Sequence, residues 1–231
     1  MITIDVVTLF PEVFAPFTAA SIMGRAQAAG LVRFRLVQLR DFTHDRHHTV
    51  DDYAYGGGAG MVLKPEPFFE AVESLGPVSG PVVLMSARGR RFGHADAVRY
   101  SLGDRLTLLC GHYKDVDQRV ADHLATEEVS IGDFVLTGGE PAAICVLDAV
   151  VRLLPGALGD HESASGDSHY DGLLSPPSWT RPLEYRGLAV PDLLRSGNHA
   201  EIAAWRQAEA ERLTRERRPD LWAQHEAMHL P

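Results

Sequence analysis

Cysteine and lysine are both scarce in this chain of 231 residues. The two cysteines, Cys110 and Cys145, each lie inside an apolar run, so we expect buried reduced thiols rather than a disulfide or a metal site. Of the 22 basic residues, all but Lys64 and Lys114 are arginine, which grips phosphate with two hydrogen bonds and stacks on bases. The net charge is nevertheless −9, which argues against broad electrostatic binding of nucleic acid.

Long apolar runs are also absent. The longest such region, residues 142–154, is interrupted by Asp148 and Arg152 and falls short of the roughly 18 apolar residues that a membrane-spanning helix needs. The first residues, MITIDVVTLF, lack a basic leader and begin a strand pattern, so no signal peptide is expected. We therefore expect a cytoplasmic protein with no membrane association.

Common ligand-binding motifs are missing too. No GxGxxG opens a helix after the first strand, which disfavours a dinucleotide-binding oxidoreductase, and no glycine is followed by Lys-Ser or Lys-Thr as in a P-loop. Four potential metal ligands are too closely spaced for a structural zinc site or a helical His-x-x-x-His face, so no protein-held metal is predicted; they are His44, Asp45, His47 and His48.

Strand patterns alternate with helical patterns over the first two thirds of the chain. The strand patterns cover residues 2–10, 32–39, 81–86, 106–110 and 128–131. The helical patterns cover residues 11–30, 65–75, 94–102, 115–124 and 140–154. This alternation predicts an α/β domain with a mostly parallel sheet, which we place at residues 1–160.

The composition then changes. Residues 161–172, HESASGDSHYDG, are small and polar and predict a mobile interdomain linker. From Pro191 onward the pattern is helical and charged, with Asn198 as the expected N-cap of a long helix. Residues 173–231 carry eight basic and eight acidic side chains and are predicted to form a small α-helical domain.

Glycine-containing loops directly follow three of the predicted strands: SARG (86–89), CGHY (110–113) and SIGDFVLTGGE (130–140). The carboxyl ends of parallel strands are where an α/β sheet places its ligand, and small residues let the backbone approach a flat adenine and ribose. The alternative is that each glycine only serves a tight turn. A fourth cluster, YGGGAG (55–60), could cradle a phosphate or a nucleobase, or be a flexible loop.

Two charged residues stand out by their context. Asp167 lies in the polar linker, where an acid is ordinarily just solvated. Arg152 interrupts an otherwise apolar helix, either at its exposed edge or pointing into a site.

Several longer motifs match a known family. The chain resembles the bacterial tRNA (guanine-N(1)-)-methyltransferases of the knotted SPOUT superfamily. The matching stretches are TLFPEVF (8–14), RDFTHDRHHTVDD (40–52), YGGGAGM (55–61), CGHY (110–113), SIGDFVLTGGEPA (130–142), PGALG (155–159), HESASGDS (161–168), TRP (180–182) and LLRSGNHAEIAAWR (193–206).

This resemblance implies a trefoil-knotted domain whose three glycine loops bind S-adenosylmethionine. It also implies a homodimer with each active site at the subunit interface. The cofactor-binding residues that the resemblance assigns are Ser86, Gly111, Ile131, Gly132, Asp133, Phe134, Val135, Leu136 and Gly138.

The implied reaction is methyl transfer to ring nitrogen 1 of guanosine 37 of tRNA, next to the anticodon. Asp167 would be the general base and Arg152 its electrophilic partner, with Asp51, Gly58 and Ser168 binding the substrate. The family needs Mg²⁺ for turnover, although no dedicated cage is visible. Arginines of the tail would contact tRNA phosphates, unless they belong to a solvated helix face; they are Arg206, Arg212, Arg215, Arg217 and Arg218.

The chain departs from the family pattern in two loops. Lys114 and Asp115 stand where many relatives have Glu-Gly, which puts a contact to the methionine amino group in doubt, and Ala87-Arg88 replaces Pro-Gln. The alternatives are a SPOUT enzyme that methylates another RNA position, such as a ribose hydroxyl, a non-catalytic RNA-binding module, or an oxidoreductase.

Overall fold

A computed structural model describes residues 1–77, 79–158 and 166–228. The chain divides into two compact units, Met1–Gly159 and Asp160–Pro231.

The first unit alternates strands and helices. Its strands are β1 (Ile2–Thr8), β2 (Val32–Gln38), β3 (Asp51–Tyr53), β4 (Met61–Leu63), β5 (Val82–Arg91), β6 (Arg105–Cys110), β7 (Asp115–Val116) and β8 (Glu127–Ser130). Its helices are α1 (Ala15–Ala19), α2 (Ser21–Ala28), α3 (Pro65–Ser74), α4 (His94–Ser101), α5 (Gln118–His123) and α6 (Glu140–Val151), with 3₁₀ turns at Pro11–Val13 and Leu39–Phe42.

A five-stranded parallel sheet in the order β2-β1-β6-β5-β8 forms the centre of this unit. Its inner strands β1 and β6 and the first half of β5 are largely buried, as expected of a parallel sheet covered by helices on both faces. One face packs against α6, through residues such as Val146 and Leu147. The other face packs against α3 and α5, through Phe68, Val72 and Val120. The prediction of an α/β domain with a mostly parallel sheet is therefore confirmed.

Two predicted helices have different bounds in the structure. The helix predicted over 11–30 is broken at Ala20, whose backbone is extended (φ −96°, ψ 155°). The helix predicted over 115–124 begins only at Gln118, because Asp115 and Val116 pair with β4 instead. The resulting small sheet, β3-β4-β7, was not predicted because its strands are too short to show a period.

The predicted burial of both cysteines is wrong for one of them. Cys110 is buried at the end of β6, whereas Cys145 is exposed on α6. The apolar run around Cys145 suggested a helix buried all round, but α6 turns Ala142, Val146 and Val150 to the sheet and leaves Cys145 on its opposite face. Both thiols are free.

The second unit is helical, as predicted. It contains a hairpin of β9 (Glu184–Tyr185) and β10 (Leu188–Ala189), a 3₁₀ turn at Asp192–Arg195, and helices α7 (His199–Arg217) and α8 (Pro219–Met228). The Asn198 side chain caps α7 by accepting a hydrogen bond from the backbone N–H of Glu201, which confirms the predicted N-cap.

The predicted mobile linker is only partly covered. Residues 161–165 lie outside the described residues, and residues 166–172 form turns and bends. This segment is anchored at its end, because Leu173 is buried and the Leu174 N–H donates to the Thr214 hydroxyl of α7 at 2.8 Å.

Within the described ranges, no helix is long and apolar enough to cross a membrane. The trefoil knot stays a prediction, because strand order and pairing do not test how the chain threads.

Candidate functional site

A cavity of about 270 Å³ lies where β6 and β8 end, beside the middle of β5. Its walls are residues 86–88 of β5 and the segments that follow β6 and β8, at residues 111–115 and 131–139. Residues 86–89 were predicted to form a loop, but β5 continues to Arg91, and only its pairing with β8 is interrupted between Met85 and Arg90. The site therefore stands at the carboxyl edge of a parallel sheet, the usual ligand position of such folds.

Most residues that were predicted to bind the cofactor line this cavity. Those that do are Ser86, Gly111, Ile131, Phe134, Val135, Leu136 and Gly138. Gly132 and Asp133 belong to the same loop but are not among the lining residues. Gly132 is buried and Asp133 is exposed.

Backbone contacts join the loops after β6 and β8. The N–H of Gly139 donates to the carbonyl of Gly111 at 2.8 Å, and His112 forms an isolated bridge with Gly138. A Cβ on Gly139 would stand 2.9 Å from the Cα of Cys110. The pair Gly138-Gly139 is therefore needed for the close approach of the segments that follow β6 and β8, and not only to form a tight turn.

The loop after β8 is held by its first residue and exposes apolar side chains at its tip. The Ser130 hydroxyl accepts the N–H of Gly132 at 3.2 Å and donates to its carbonyl at 2.9 Å. Phe134 and Val135 are 55% and 85% exposed. Apolar side chains at the mouth of a cavity suit the flat face of an adenine or a partner surface.

A buried carboxylate lies beneath the cavity. Glu140, the first residue of α6, is only 4% exposed and accepts the Thr8 hydroxyl at 2.7 Å. Its other oxygen is 3.8 Å from Nδ1 of His112, whose ring lines the cavity. The helix N-terminus favours a negative charge at this place. Burial, and after it the charge of Glu140, raises the pKa of the Cys110 thiol, which therefore stays protonated.

The cavity also has lining residues that the sequence prediction did not include. They include Arg88, His112, Tyr113, Lys114, Asp115, Thr137 and Gly139. Several are neighbours of predicted residues within the same loops, so loop membership was the available signal. Arg88 of β5 and Asp115 of β7 form an ion pair of 3.3 Å, which no spacing in the sequence indicates.

Two of the predicted substrate-binding residues lie in and beside the small sheet. Asp51 opens β3, opposite Leu63 of β4. Gly58 lies in the glycine-rich turn between β3 and β4 and has a φ of +114°. β4 pairs with β7, which follows the CGHY loop, so the small sheet adjoins the cavity rim.

The histidine-rich segment that joins the 3₁₀ turn Leu39–Phe42 to β3 holds its own loop together. The Asp45 carboxylate accepts the backbone N–H and the hydroxyl of Thr49, which lowers the pKa of Asp45 to about 2. His44 pairs with Glu70 at 2.8 Å, and Nδ1 of His48 lies 3.0 Å from the Thr43 hydroxyl. Across residues 1–77, 79–158 and 166–228, no group of three His, Cys, Asp or Glu side chains could hold a metal ion.

The two predicted catalytic residues belong to different units. Arg152 is the half-buried C-cap of α6 in the first unit, and its N–H donates to the Asp148 carbonyl. Asp167 and Ser168 belong to the second unit, in a turn where the Asp167 carbonyl accepts the N–H of Tyr170. The Ser168 hydroxyl accepts the backbone N–H of Ser175 at 2.9 Å.

Asp167 borders a cavity of its own unit. This cavity measures about 670 Å³ and is also lined by Trp179, Arg206 and Gln207. A carboxylate, an indole and a guanidinium around one space supply an acceptor, a stacking surface and a cation, which are groups that can recognise a nucleobase and its phosphate.

The tail arginines differ in their surroundings. Arg212 pairs with Glu209 and Glu216, and Arg218 pairs with Asp220. Arg212 and Arg218 therefore fit the alternative prediction, in which the arginines belong to a solvated helix face. Arg215 lies over the Trp222 ring at 4.2 Å, Arg217 is exposed, and Arg206 borders the cavity of Asp167.

Comparison with known proteins agrees with this architecture. The model of the family described as tRNA (Guanine-1)-methyltransferase TrmD matches residues 2–224. The tRNA (guanine-N(1)-)-methyltransferase of Dehalococcoides mccartyi (strain CBDB1) is 54% identical over 222 residues, covering 95% of this chain and 90% of the relative. The enzymes of the same name from Bacillus licheniformis and Bacillus subtilis (strain 168) are 51% and 49% identical, covering 94% and 96% of this chain and 91% and 93% of their own lengths. The resemblance found in the motifs is confirmed: the chain belongs to the tRNA (guanine-1)-methyltransferase family of the SPOUT superfamily.

Proposed function

We propose that this protein transfers a methyl group from S-adenosylmethionine to ring nitrogen 1 of guanosine 37 of tRNA. The observation that carries the proposal is the cavity beside β5 and at the ends of β6 and β8, in a chain that matches its family through both units.

The cavity fits the cofactor by shape and chemistry. Gly111, Gly138 and Gly139 bring bare backbone to its wall, and backbone N–H and C=O groups can bind an adenine edge and ribose hydroxyls. Phe134, Val135 and Leu136 supply apolar surface at the same wall. When bound, the cofactor supplies a methyl group already made electrophilic by its sulfonium, so that the protein contributes alignment and electrostatics.

The substrate atom needs a base. Nitrogen 1 of guanine carries a proton at neutral pH and is a poor nucleophile, so the proton must leave as the methyl arrives. A carboxylate within hydrogen-bond reach can take it, and we assign this role to Asp167. The Asp167 cavity, with Trp179 and Arg206, supports the assignment because it offers room and partners for a nucleobase.

Loss of the proton leaves negative charge on the guanine carbonyl oxygen. A guanidinium would stabilise that charge, and we assign this role to Arg152. Arg152 lies at the end of α6, and this apolar helix fixes the position of its backbone. Base and guanidinium would each contribute a factor of about 10² to 10³ in rate.

The remaining assignments follow the family. We propose a homodimer in which the cofactor cavity of one subunit receives Asp167 of the other, with Asp51, Gly58 and Ser168 contacting the RNA. Mg²⁺ is expected to be needed for turnover, either with the RNA or beside the base, and EDTA should then abolish transfer. Since the described residues gather no metal cluster, no step of the reaction is assigned to the ion.

The proposal is tested by transfer of a labelled methyl group to two transcripts of one tRNA, with guanosine or adenosine at position 37. Label is expected in the guanosine transcript alone. Equal labelling of both transcripts would contradict the proposal and favour the alternative of ribose methylation, because a ribose hydroxyl is present in either case.

A further inference from the structure

Lys114 occupies a fixed place at the cavity rim. It lines the cavity, and its backbone N–H donates to the Met61 carbonyl at 3.1 Å. The next residue, Asp115, begins β7, which pairs in parallel with β4. The backbone that carries Lys114 is therefore held on one side by the small sheet and borders the cavity on the other.

The glycine-rich turn makes room for the Lys114 side chain. A Cβ on Gly60 would stand 3.2 Å from the Cβ of Lys114, and one on Gly58 would stand 3.3 Å from its Nζ. Both glycines have positive φ, +95° and +114°, which side-chain-bearing residues rarely adopt. The lysine stem thus runs along a stretch of backbone without side chains, and its ammonium lies near Gly58.

The ammonium of Lys114 is the uncompensated charge among the charged groups of the cavity wall. Among the described residues, the charged side chains that line the cavity are Arg88, Lys114 and Asp115. Arg88 pairs with Asp115 at 3.3 Å. Lys114 is exposed and forms no ion pair with residues in the described ranges.

The cofactor that we propose for this cavity carries two positive groups, the sulfonium and the amino group, and one negative group, the carboxylate. An uncompensated cation at the rim repels the first two and attracts the third. We propose that Lys114 binds the carboxylate of the methionine end of S-adenosylmethionine and thereby orients the cofactor. This inference rests on the proposed function, because it takes the cavity as the cofactor site.

The test compares two ligands that differ only in the carboxylate, S-adenosylmethionine and its decarboxylated form. Dissociation constants are measured by calorimetry for the wild type, Lys114→Met and Lys114→Arg. Lys64→Met is the matched control, since Lys64 precedes α3 and is not among the residues that line the cavity. The KM for tRNA is measured for the same four proteins.

We expect Lys114→Met to bind S-adenosylmethionine about 3- to 10-fold more weakly, the size of one charge-assisted contact at a solvent-exposed rim. Its affinity for the decarboxylated ligand should not change. Lys114→Arg should keep the preference for the carboxylate, and Lys64→Met should behave as the wild type in both measurements.

Two results would overturn the inference and leave the proposed function standing. One is a raised KM for tRNA with unchanged cofactor affinity in Lys114→Met, which would assign the ammonium to an RNA phosphate. The other is an equal loss of affinity for both ligands in Lys114→Met, which would show that Lys114 maintains the shape of the cavity and does not bind the carboxylate. Failure of the wild type to bind S-adenosylmethionine at all would instead contradict the proposed function, and the inference with it.

Discussion

Gly139 sets how closely the loops after β6 and β8 approach each other. Its N–H donates to the Gly111 carbonyl, and a Cβ would stand 2.9 Å from the Cα of Cys110 and 3.0 Å from the N of Gly111. Both are backbone atoms, which cannot turn away as the end of a flexible side chain can. A single methyl group at this position must therefore separate two loops of the cavity wall.

We expect Gly139→Ala to weaken cofactor binding by about tenfold or more and to lower the free energy of unfolding by about 1–3 kcal/mol, as overpacking does. Calorimetry with S-adenosylhomocysteine and urea unfolding measure the two effects. Gly93→Ala is the control, because its Cβ would meet nothing within 4 Å and its φ of −141° suits alanine. Wild-type affinity in Gly139→Ala would show that the cavity wall tolerates the separation.

At the scale of elements, a buried carboxylate joins the three strands β2, β1 and β6. Asp5 of β1 is 0% exposed; it is ion-paired with Arg35 of β2 and with Arg105 of β6, the latter at 2.7 Å. Arg105 also donates to the carbonyls of Leu75 and Pro77. Removing a buried charge leaves its partners uncompensated, which costs more than the pair contributes.

We expect Asp5→Asn to lower the free energy of unfolding by about 3–5 kcal/mol, measured by urea denaturation. The matched control is Asp104→Asn, whose carboxylate is exposed just before β6 and should change stability by less than about 0.5 kcal/mol. A loss in Asp5→Asn no larger than that of the control would show that these pairs do not stabilise the sheet.

A second charged cluster ties β8 to α4 and β5. Burial acts to raise the pKa of Glu127, but hydrogen bonds from Arg99 and Arg90 outweigh it and hold this pKa below its ordinary value of 4.5. A group whose pKa is lower in the folded state stabilises the protein above its unfolded pKa, and the stabilisation is lost as the pH falls through the folded value.

The free energy of unfolding should therefore fall on acidification below about pH 4.5, and the fall should be shallower in Glu127→Gln. Urea unfolding between pH 7 and pH 3 measures the slopes. Glu73→Gln, which replaces an exposed carboxylate, should keep the wild-type slope. Parallel pH profiles for wild type and Glu127→Gln would exclude this contribution.

The elements of the fold could be predicted from the sequence where a strand or helix pattern, or a helix with a clear N-cap, extends over five or more positions. β1, β2, β6 and α7 are examples. β7 and β9 could not, because two-residue strands show no period and depend on partners distant in sequence. The burial of Cys145 was predicted wrongly because a run of apolar residues does not reveal which face of α6 packs against the sheet.

Residues of the cavity wall could be predicted where a loop follows a strand and carries a family motif, as Gly111 and Leu136 show. The pairing of Arg88 with Asp115 could not, because Arg88 of β5 and Asp115 of β7 belong to two different sheets that come together only in the folded protein. Nor does the sequence indicate that Lys114 lies along Gly58 and Gly60, since that contact depends on the pairing of β4 with β7.

At the scale of the whole molecule, each active site of the proposed homodimer combines the cofactor cavity of one chain with Asp167 of the other. Gly139→Ala weakens cofactor binding and Asp167→Ala removes the proposed base, so each homodimer should be far less active than the wild type at S-adenosylmethionine concentrations below the wild-type dissociation constant. In a heterodimer of the two variants, one site would combine an intact cavity with an intact Asp167. We expect such heterodimers, purified through two different tags, to recover roughly half of the wild-type rate per dimer, as two-fold symmetry requires.

Heterodimers as inactive as the two parents would place the cavity and the base of each site in one chain. A wild-type protein that stays monomeric in sedimentation at assay concentrations would also contradict the dimer. Heterodimers that carry one wild-type chain control for the effect of the tags.

The identity of the methylated nucleoside tests the proposed function most directly. Unmodified tRNA with guanosine at position 37 would be incubated with S-adenosylmethionine and Mg²⁺, digested, and analysed by mass spectrometry, beside the same reaction with Asp167→Asn. The predicted result is 1-methylguanosine at position 37 with the wild type, and a loss of about 10²-fold or more with Asp167→Asn, which keeps the shape of the side chain but cannot accept the proton. A methyl group found elsewhere in the RNA, or an Asp167→Asn protein of undiminished rate, would contradict it.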